Sequence, residues 1–271
     1  MKINPLHPKF GAEIRGLDLA QPLHHETSNE LRAALLNSKV LIFRGQLVSP
    51  EKYIQFCSAI GKIWTTEDEM KLEKHFQYET HKELVRVSNK FGVLGKIELL
   101  YHADGSHHPS KPYPIRCLYA QSIPKGCGGA TTWADMEIAY ETLSKGIKDR
   151  IENLRARHVP RYSTGWENEV VLHPLVRVHP VSGRKSLSVD QYFTRFIEGL
   201  SEKDSSELLT DLIEHSISQG NLYTHEWKPG DLVIFDNNNT VHRRDVITSK
   251  DERLLLRITM DYDYVNSSTL S

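Results

Sequence analysis

Three short stretches of this 271-residue chain carry residues that could do chemistry together. The first is His102-Ala103-Asp104, the only His-x-Asp in the sequence. On extended backbone, residues two apart point to the same side, so an imidazole and a carboxylate would converge on one point, as two metal ligands must. The second is His242, which follows the apolar run Leu232-Val233-Ile234-Phe235 and a polar Asp236-Asn237-Asn238-Asn239 turn. The third is Arg253 with Arg257, four apart in a stretch otherwise made of Leu254, Leu255, Leu256 and Ile258. On a strand that spacing again gives one face. Inward guanidinium groups are costly unless they meet anions, most simply carboxylates held bidentately.

Each stretch alone also has a bland reading. The triplet fits a surface turn with an Asp–His hydrogen bond, His242 fits an ordinary loop, and the arginines fit the solvent side of an edge strand. Together, two histidines and one carboxylate form a facial triad that leaves metal positions open. That favours non-heme Fe(II) oxygen chemistry over structural zinc, whose sites are closed by four ligands. The arginines would hold an acidic cosubstrate and could reach an acidic substrate.

The elements that must position these residues are short and strand-rich. Alternation or apolar runs predict strands at 10–16, 40–44, 84–88, 115–120, 176–178, 186–189, 232–235 and 253–264. Helical periodicity predicts helices from Glu26 to Leu36, capped by Thr27 or Ser28, and from Ser49-Pro50 to about Ile60. Further helices are expected after Asp135, over Lys145 to Leu154, and from Glu202 to Gln219. No repeat or interdomain linker appears, so one domain over 1–271 is expected. It would be mainly β with helical cladding, a sandwich or barrel.

Composition excludes several classes. Lys plus Arg number 34 against 35 Asp plus Glu, which gives no global electrostatic case for nucleic acid or an anionic membrane. Hydrophobic residues are 39%, charged residues 25% and mean hydropathy is −0.46, as in an ordinary globular enzyme. No apolar run reaches 18 residues, so no membrane span is expected. Cys57, Cys117 and Cys127 are odd in number and widely spaced, which argues against a disulfide framework. The opening Met1-Lys2-Ile3-Asn4-Pro5 lacks a signal-peptide core, so a cytoplasmic location is expected. The 14 histidines hint at metal or proton chemistry.

Several further segments carry a family resemblance. They are Gly11-Ala12-Glu13-Ile14 with Leu17-Asp18, Leu41 to Gly45, and Gly128-Gly129-Ala130-Thr131-Thr132-Trp133-Ala134-Asp135-Met136 with Ala139-Tyr140. They continue with His173 to Pro180, Gly183 to Leu187, and Gly230-Asp231 to Asp236-Asn237. With the three stretches above, and in this order, the chain resembles the Fe(II)/2-oxoglutarate-dependent dioxygenases of the taurine dioxygenase and 2,4-dichlorophenoxyacetate dioxygenase type. The resemblance covers nearly the whole chain.

It implies a double-stranded β-helix, or jelly roll. It implies His102, Asp104 and His242 as catalytic iron ligands, Arg253 and Thr131 as 2-oxoglutarate-binding residues, and Arg257 beside the acid group of an anionic substrate. His75 and Tyr78 faintly match a substrate-contacting segment. Tyr101 departs from the tryptophan of the taurine enzyme, the interval from Asp104 to Thr131 is slightly longer, and the loop around His75 is shorter. The loop Phe91 to Leu100 is expected over the site. His173-Pro174 and His179-Pro180 read as architectural, Trp133, Met136 and Cys117 as core, and Cys127 as a residue that could be exposed.

The implied activity uses Fe(II), 2-oxoglutarate and O2 to oxidise an unactivated C–H bond of a small organic acid, releasing succinate and carbon dioxide. The acid could be a sulfonate, a carboxylate or an amino-acid derivative. Asp104 argues against halogenation, for which relatives carry a small residue at that position. Radical desaturation or oxidative decarboxylation on the same site is the alternative outcome. A non-catalytic jelly-roll binding protein would have lost a ligand or the 2-oxoglutarate arginine. A zinc hydrolase would leave Thr131 and Arg253 without a role. A homo-dimer or tetramer is compatible with the family.

Overall fold

A computed structural model describes residues 1–7, 10–65, 77–78, 80–90, 95–108, 113–159, 171–218 and 220–262. Among these residues a nine-stranded sheet runs in the order Lys2–Pro5, Ala12–Arg15, Val40–Phe43, Leu232–Asp236, Ile115–Ser122, Leu254–Asp261, His81–Ser88 and Gln77–Tyr78. Lys62–Ile63 adds to Leu254–Asp261. A four-stranded sheet runs Leu222–His225, Thr131–Asp135, Thr240–Arg244 and Leu99–His102. Pairing within both sheets is antiparallel, except that Ala12–Arg15 lies parallel to Val40–Phe43.

The central strands of the large sheet read as continuous apolar runs because both of their faces are covered. Side chains alternate across a strand, so Leu232 and Ile234 go one way while Val233 and Phe235 go the other. Val233 and Phe235, with Val40, Ile42, Leu118, Ala120 and Leu255, pack between the sheets against Trp133 of the small sheet. Leu232 and Ile234, with Leu41, Phe43, Cys117, Tyr119, Ile258 and Met260, meet the helices His25–Ser38 and Pro50–Ile60. A third core covers the outer face of the small sheet. There Ala134 and Val241 pack with Met136, Ala139, Ile151, Leu208, Leu209 and Leu212. The result is the β sandwich clad in helices that the strand-rich pattern predicts, with Trp133, Met136 and Cys117 in the core as expected.

Local chemistry sets most helix starts. Ser49 accepts from the Lys52 amide with Pro50 in the first turn, and Asp135 Oδ1 accepts from the Glu137 and Ile138 amides. The first helix differs from its prediction. It starts at His25 without a side-chain cap, and the Ser28 hydroxyl donates to the His24 carbonyl instead. The polar turn before His242 is shorter than its composition predicts, and Thr240–Arg244 is a strand. Arg155–His158, Val171–Pro174, Thr194–Ile197 and Leu222–His225 are strands that periodicity did not mark, each too short for a pattern. Cys127 is buried rather than exposed.

Candidate active site

His102 ends the strand Leu99–His102 and His242 sits within Thr240–Arg244. The strands pair antiparallel with His102 opposite His242, and the ring centroids lie 4.3 Å apart. Asp104 follows two residues later, its Oδ1 3.5 Å from His102 Nε2. One ligand atom from each of the three residues lies within 4.8 Å of the others. Among the described residues no other group of three or more His, Cys, Asp or Glu converges this closely. The packing fixes these rings. Trp133 stacks at 29° on His242, 6.4 Å away, and Phe193 meets His102 edge-on.

The hydrogen bonding suits a cation at this point. His102 Nδ1 lies 2.7 Å from the Leu100 carbonyl and donates to it, so a neutral ring turns the Nε2 lone pair toward the Asp104 carboxylate. Two lone pairs facing one another require a metal ion or a proton between them. Burial opposes charge on His102, yet hydrogen bonding and attraction from Asp104 raise its pKa. Burial, then His102, pushes His242 down to about 3, and its buried Nδ1 has no hydrogen-bond partner among the described residues. Burial also opposes the Asp104 carboxylate, but the Arg116 guanidinium holds its pKa well below the usual range. This set, two imidazoles and a carboxylate that Arg116 keeps ionised, fits a divalent transition metal.

Asp104 is held by both its backbone and its side chain. Its amide donates to Asn237 Oδ1 at 2.9 Å, and its carbonyl accepts from Asn237 Nδ2 at 2.9 Å. Asn237 is fully buried and also donates to the Tyr113 carbonyl. One amide therefore ties the end of Leu232–Asp236 to the loop carrying Asp104. On the preceding residue, Asp236 Oδ1 accepts from the Tyr262 hydroxyl at 2.6 Å, and Oδ2 lies 2.9 Å from His179 Nε2. His179 Nδ1 accepts from the Val181 and Ser182 amides, so its proton sits on Nε2. His179 is architectural, as its His-Pro context predicts. His173 Nε2 likewise bonds a backbone carbonyl, that of His108.

Two residues beyond His242 on the same strand, Arg244 leads to a second buried cation, Arg253. Arg253 is only 1% exposed, and no carboxylate among the described residues pairs with it. Its Nη2 donates to the Gly129 carbonyl at 2.9 Å, while its Nε is buried without a partner. A Cβ on Gly129 would lie 3.0 Å from that Nε and 2.8 Å from Ile247, and its φ is +72°, so glycine is required there. Thr131 Oγ1 accepts from Trp227 Nε1 at 2.9 Å, and the same indole lies 5.9 Å from the Arg253 guanidinium. Arg244 faces Thr131 in register and anchors the Gly95 and Ile97 carbonyls. Burial, then Arg244, pushes Arg253 down to about 10. A buried cation without an anion marks a place for a carboxylate.

Arg257 shares the inner face with Arg253 and acts electrostatically on both Asp104 and His242. Tyr78 is not brought to the cluster. It packs against the helix-side core and stacks on His81 at 6.0 Å, because its two-residue strand lies at the far edge of the large sheet. His75 lies outside the described residues. Four residues with a place in the site went unassigned in the sequence: Arg116, Asn237, Arg244 and Trp227. Arg116 had a usable signal, one charge among the apolar Ile115, Cys117 and Leu118, the same sign that exposed Arg253. Arg244, two residues after His242, could have been found by the i, i+2 rule.

The chain is similar to several known proteins. The alpha-ketoglutarate-dependent 2,4-dichlorophenoxyacetate dioxygenase of Cupriavidus pinatubonensis is 31% identical, over 89% of this chain and 90% of that protein. A taurine dioxygenase structure from Burkholderia xenovorans superposes with a TM-score of 0.82 at 28% identity, covering 96% of this chain and 90% of that one. The structure of AAD-2 in complex with Mn(II) and N-oxalylglycine gives a TM-score of 0.80 at 30% identity, covering 96% of both chains. The sandwich is therefore the jelly roll expected from the sequence. The sequence model for the taurine catabolism dioxygenase TauD, TfdA family matches residues 2–259, and this chain belongs to that family of dioxygenases.

Proposed function

We propose that the protein is a non-heme Fe(II)- and 2-oxoglutarate-dependent dioxygenase that oxidises a C–H bond of a small organic acid, with release of succinate and carbon dioxide. One juxtaposition carries this reading: His102, Asp104 and His242 converge, and Arg244, two residues after His242, faces a buried Arg253 that has no anionic partner among the described residues. His102, Asp104 and His242 would hold the iron, and Arg253 with Thr131 would hold the distal carboxylate of 2-oxoglutarate. Relatives whose names carry alpha-ketoglutarate dependence, and one crystallised with Mn(II) and N-oxalylglycine, support the same cosubstrate here.

The bound iron supplies oxygen activation coupled to decarboxylation of the cosubstrate. The residues of this chain do the rest. Leu100 fixes the His102 tautomer so that Nε2 faces the cluster. Asn237 and Arg116 fix Asp104. Three protein ligands would leave room on a bound metal for the cosubstrate and for oxygen. Trp227 orients the Thr131 hydroxyl, and Trp133 and Phe235 keep the His242 side of the site apolar. Arg257 would orient the acid group of the substrate. Hydroxylation is the proposed outcome, with desaturation or oxidative decarboxylation as the alternative on the same residues. The large sheet supplies the Arg253 wall and the small sheet supplies the histidines.

The test is a substrate screen on anaerobic protein loaded with Fe(II) and 2-oxoglutarate. Candidate sulfonates, carboxylates and amino-acid derivatives are added while the metal-to-ligand absorption band is followed. A substrate should perturb the band and then trigger succinate formation in air. A zinc-loaded protein that turned over the same compounds without oxygen would contradict the proposal.

A further inference from the structure

Arg116 is the only charged residue in the apolar part of its strand, Ile115 to Ala120. It is 1% exposed and stands on the face that looks between the sheets. Its neighbours on the other face, Ile115, Cys117 and Tyr119, pack against the helices. Burying such a cation is costly unless it serves a partner. That partner is Asp104: Arg116 Nε lies 2.9 Å from Oδ2, an ion-pair contact rather than an aligned hydrogen bond. Oδ1 of the same carboxylate is the oxygen near His102.

The guanidinium is itself seated. Its Nη1 meets the Thr259 hydroxyl, from the residue directly opposite on the adjacent strand. Its Cζ lies 4.1 Å from the centroid of the Tyr113 ring. That ring can come close only because position 105 is glycine. A Cβ there would sit 2.7 Å from the ring, and the backbone φ is +69°. Asn237 then fastens the Tyr113 carbonyl and the Asp104 backbone with one amide. Gly105, Tyr113, Thr259 and Asn237 thus form a bracket that sets one cation against one oxygen of Asp104.

We infer that Arg116 is a positioning residue for the metal centre: it occupies Asp104 Oδ2 so that this carboxylate offers the metal a single oxygen, Oδ1. This rests on the proposed role of Asp104 as a metal ligand. A carboxylate free to use both oxygens would take a second coordination position. Restricted to one, it leaves that position to cosubstrate or oxygen. Arg116 also draws charge away from the carboxylate, a smaller effect on metal binding than the orientation it imposes.

The experiment compares wild type with Arg116→Met and Arg116→Lys, each checked for folding by circular dichroism. Mn(II) affinity is measured by titration of the metal-free protein. The Fe(II)–2-oxoglutarate absorption band is recorded anaerobically. Arg116→Met should weaken Mn(II) binding about 10- to 100-fold, the usual cost of losing a group that orients a ligand. It should also move the band to longer wavelength, because an unrestrained carboxylate donates more charge to iron. Arg116→Lys should fall between Met and wild type in both readouts. Where the Met variant does not fold, Arg116→Gln, a shorter polar side chain without the charge, is read instead, with a loss in the same direction. A folded variant with wild-type or tighter Mn(II) affinity and an unmoved band overturns the inference. Absence of Mn(II) binding by wild type overturns the proposed metal centre itself, so the two failures are distinct.

Discussion

The two faces of the large sheet are built from the same strands and do different work. On Ile115–Ser122 and Leu254–Asp261, the residues turned to the helices are Ile115, Cys117, Tyr119, Leu256, Ile258 and Met260. Their immediate neighbours, turned to the small sheet, are Arg116, Leu118, Leu255, Arg257 and Thr259. Arg253, just before the second strand, continues the inner face. One face excludes charge and the other concentrates it. The difference follows from what each face meets: helices of matching apolar stripe on one side, and two histidines and a carboxylate on the other. Stability is thus assigned to the helix side and chemistry to the inner side.

The largest effect that could break this division is loss of the carboxylate. Asp104→Ala should abolish turnover by removing a metal ligand and leaving Arg116 buried without its anion. Oxygen consumption at the wild-type rate would show that the inner face does not hold the metal. Next come the two arginines of Leu254–Asp261 and its approach. Arg253→Ala should raise the KM for 2-oxoglutarate about 30-fold or more, since truncating a buried charge pair costs about 2 kcal/mol or more. Arg257→Ala should raise the KM for the acidic substrate about tenfold, with little change for the cosubstrate. Equal effects of both variants on 2-oxoglutarate would merge the two roles.

A helix-side variant gives the opposite pattern. Ile234 is fully buried among Leu41, Cys117 and the helices. Ile234→Ala should cost about 2–5 kcal/mol in unfolding free energy through a lost side chain and a cavity. Metal affinity of the folded protein should stay within about twofold, because well-separated sites act nearly independently. A tenfold loss of metal affinity would mean that the faces are not separable.

The smallest expected effect is on pH dependence. Burial pushes His107 and His173 down to about 4. Above about pH 6.5 both rings are neutral whether the chain is folded or not, and they contribute no slope. Below that, the unfolded chain takes up protons that the folded chain refuses, so stability falls with pH until about pH 4. Each such ring contributes roughly 1.4 kcal/mol per pH unit. His173→Gln should flatten the denaturation slope of the metal-free protein between pH 6 and 4. An unchanged slope would mean that His173 is solvated in the folded state.

Much of the division was legible in the residues, and the misses share a cause. The runs Leu232–Phe235 and Leu254–Ile258 announce buried strands because both faces are covered. The i, i+2 and i, i+4 spacings announce His102 with Asp104 and Arg253 with Arg257. Arg116 and Asn237 were not assigned roles because their function appears only across chain gaps: Asn237 meets Asp104 through a loop, and Arg116 meets it from another strand. Local similarity points Tyr78 toward the site, while sheet order carries it to the far edge. Arg155–His158, Val171–Pro174, Thr194–Ile197 and Leu222–His225 pair over only three or four residues and owe their conformation to neighbours, which periodicity cannot see.

Anaerobic titration of metal-free protein with Fe(II), with and without 2-oxoglutarate, reads out one ferrous ion held by residues 102, 104 and 242. One equivalent of Fe(II) should bind, and a visible absorption band should appear only when 2-oxoglutarate is added and be absent in His242→Ala. No band in wild type, or the same band in His242→Ala, would contradict it.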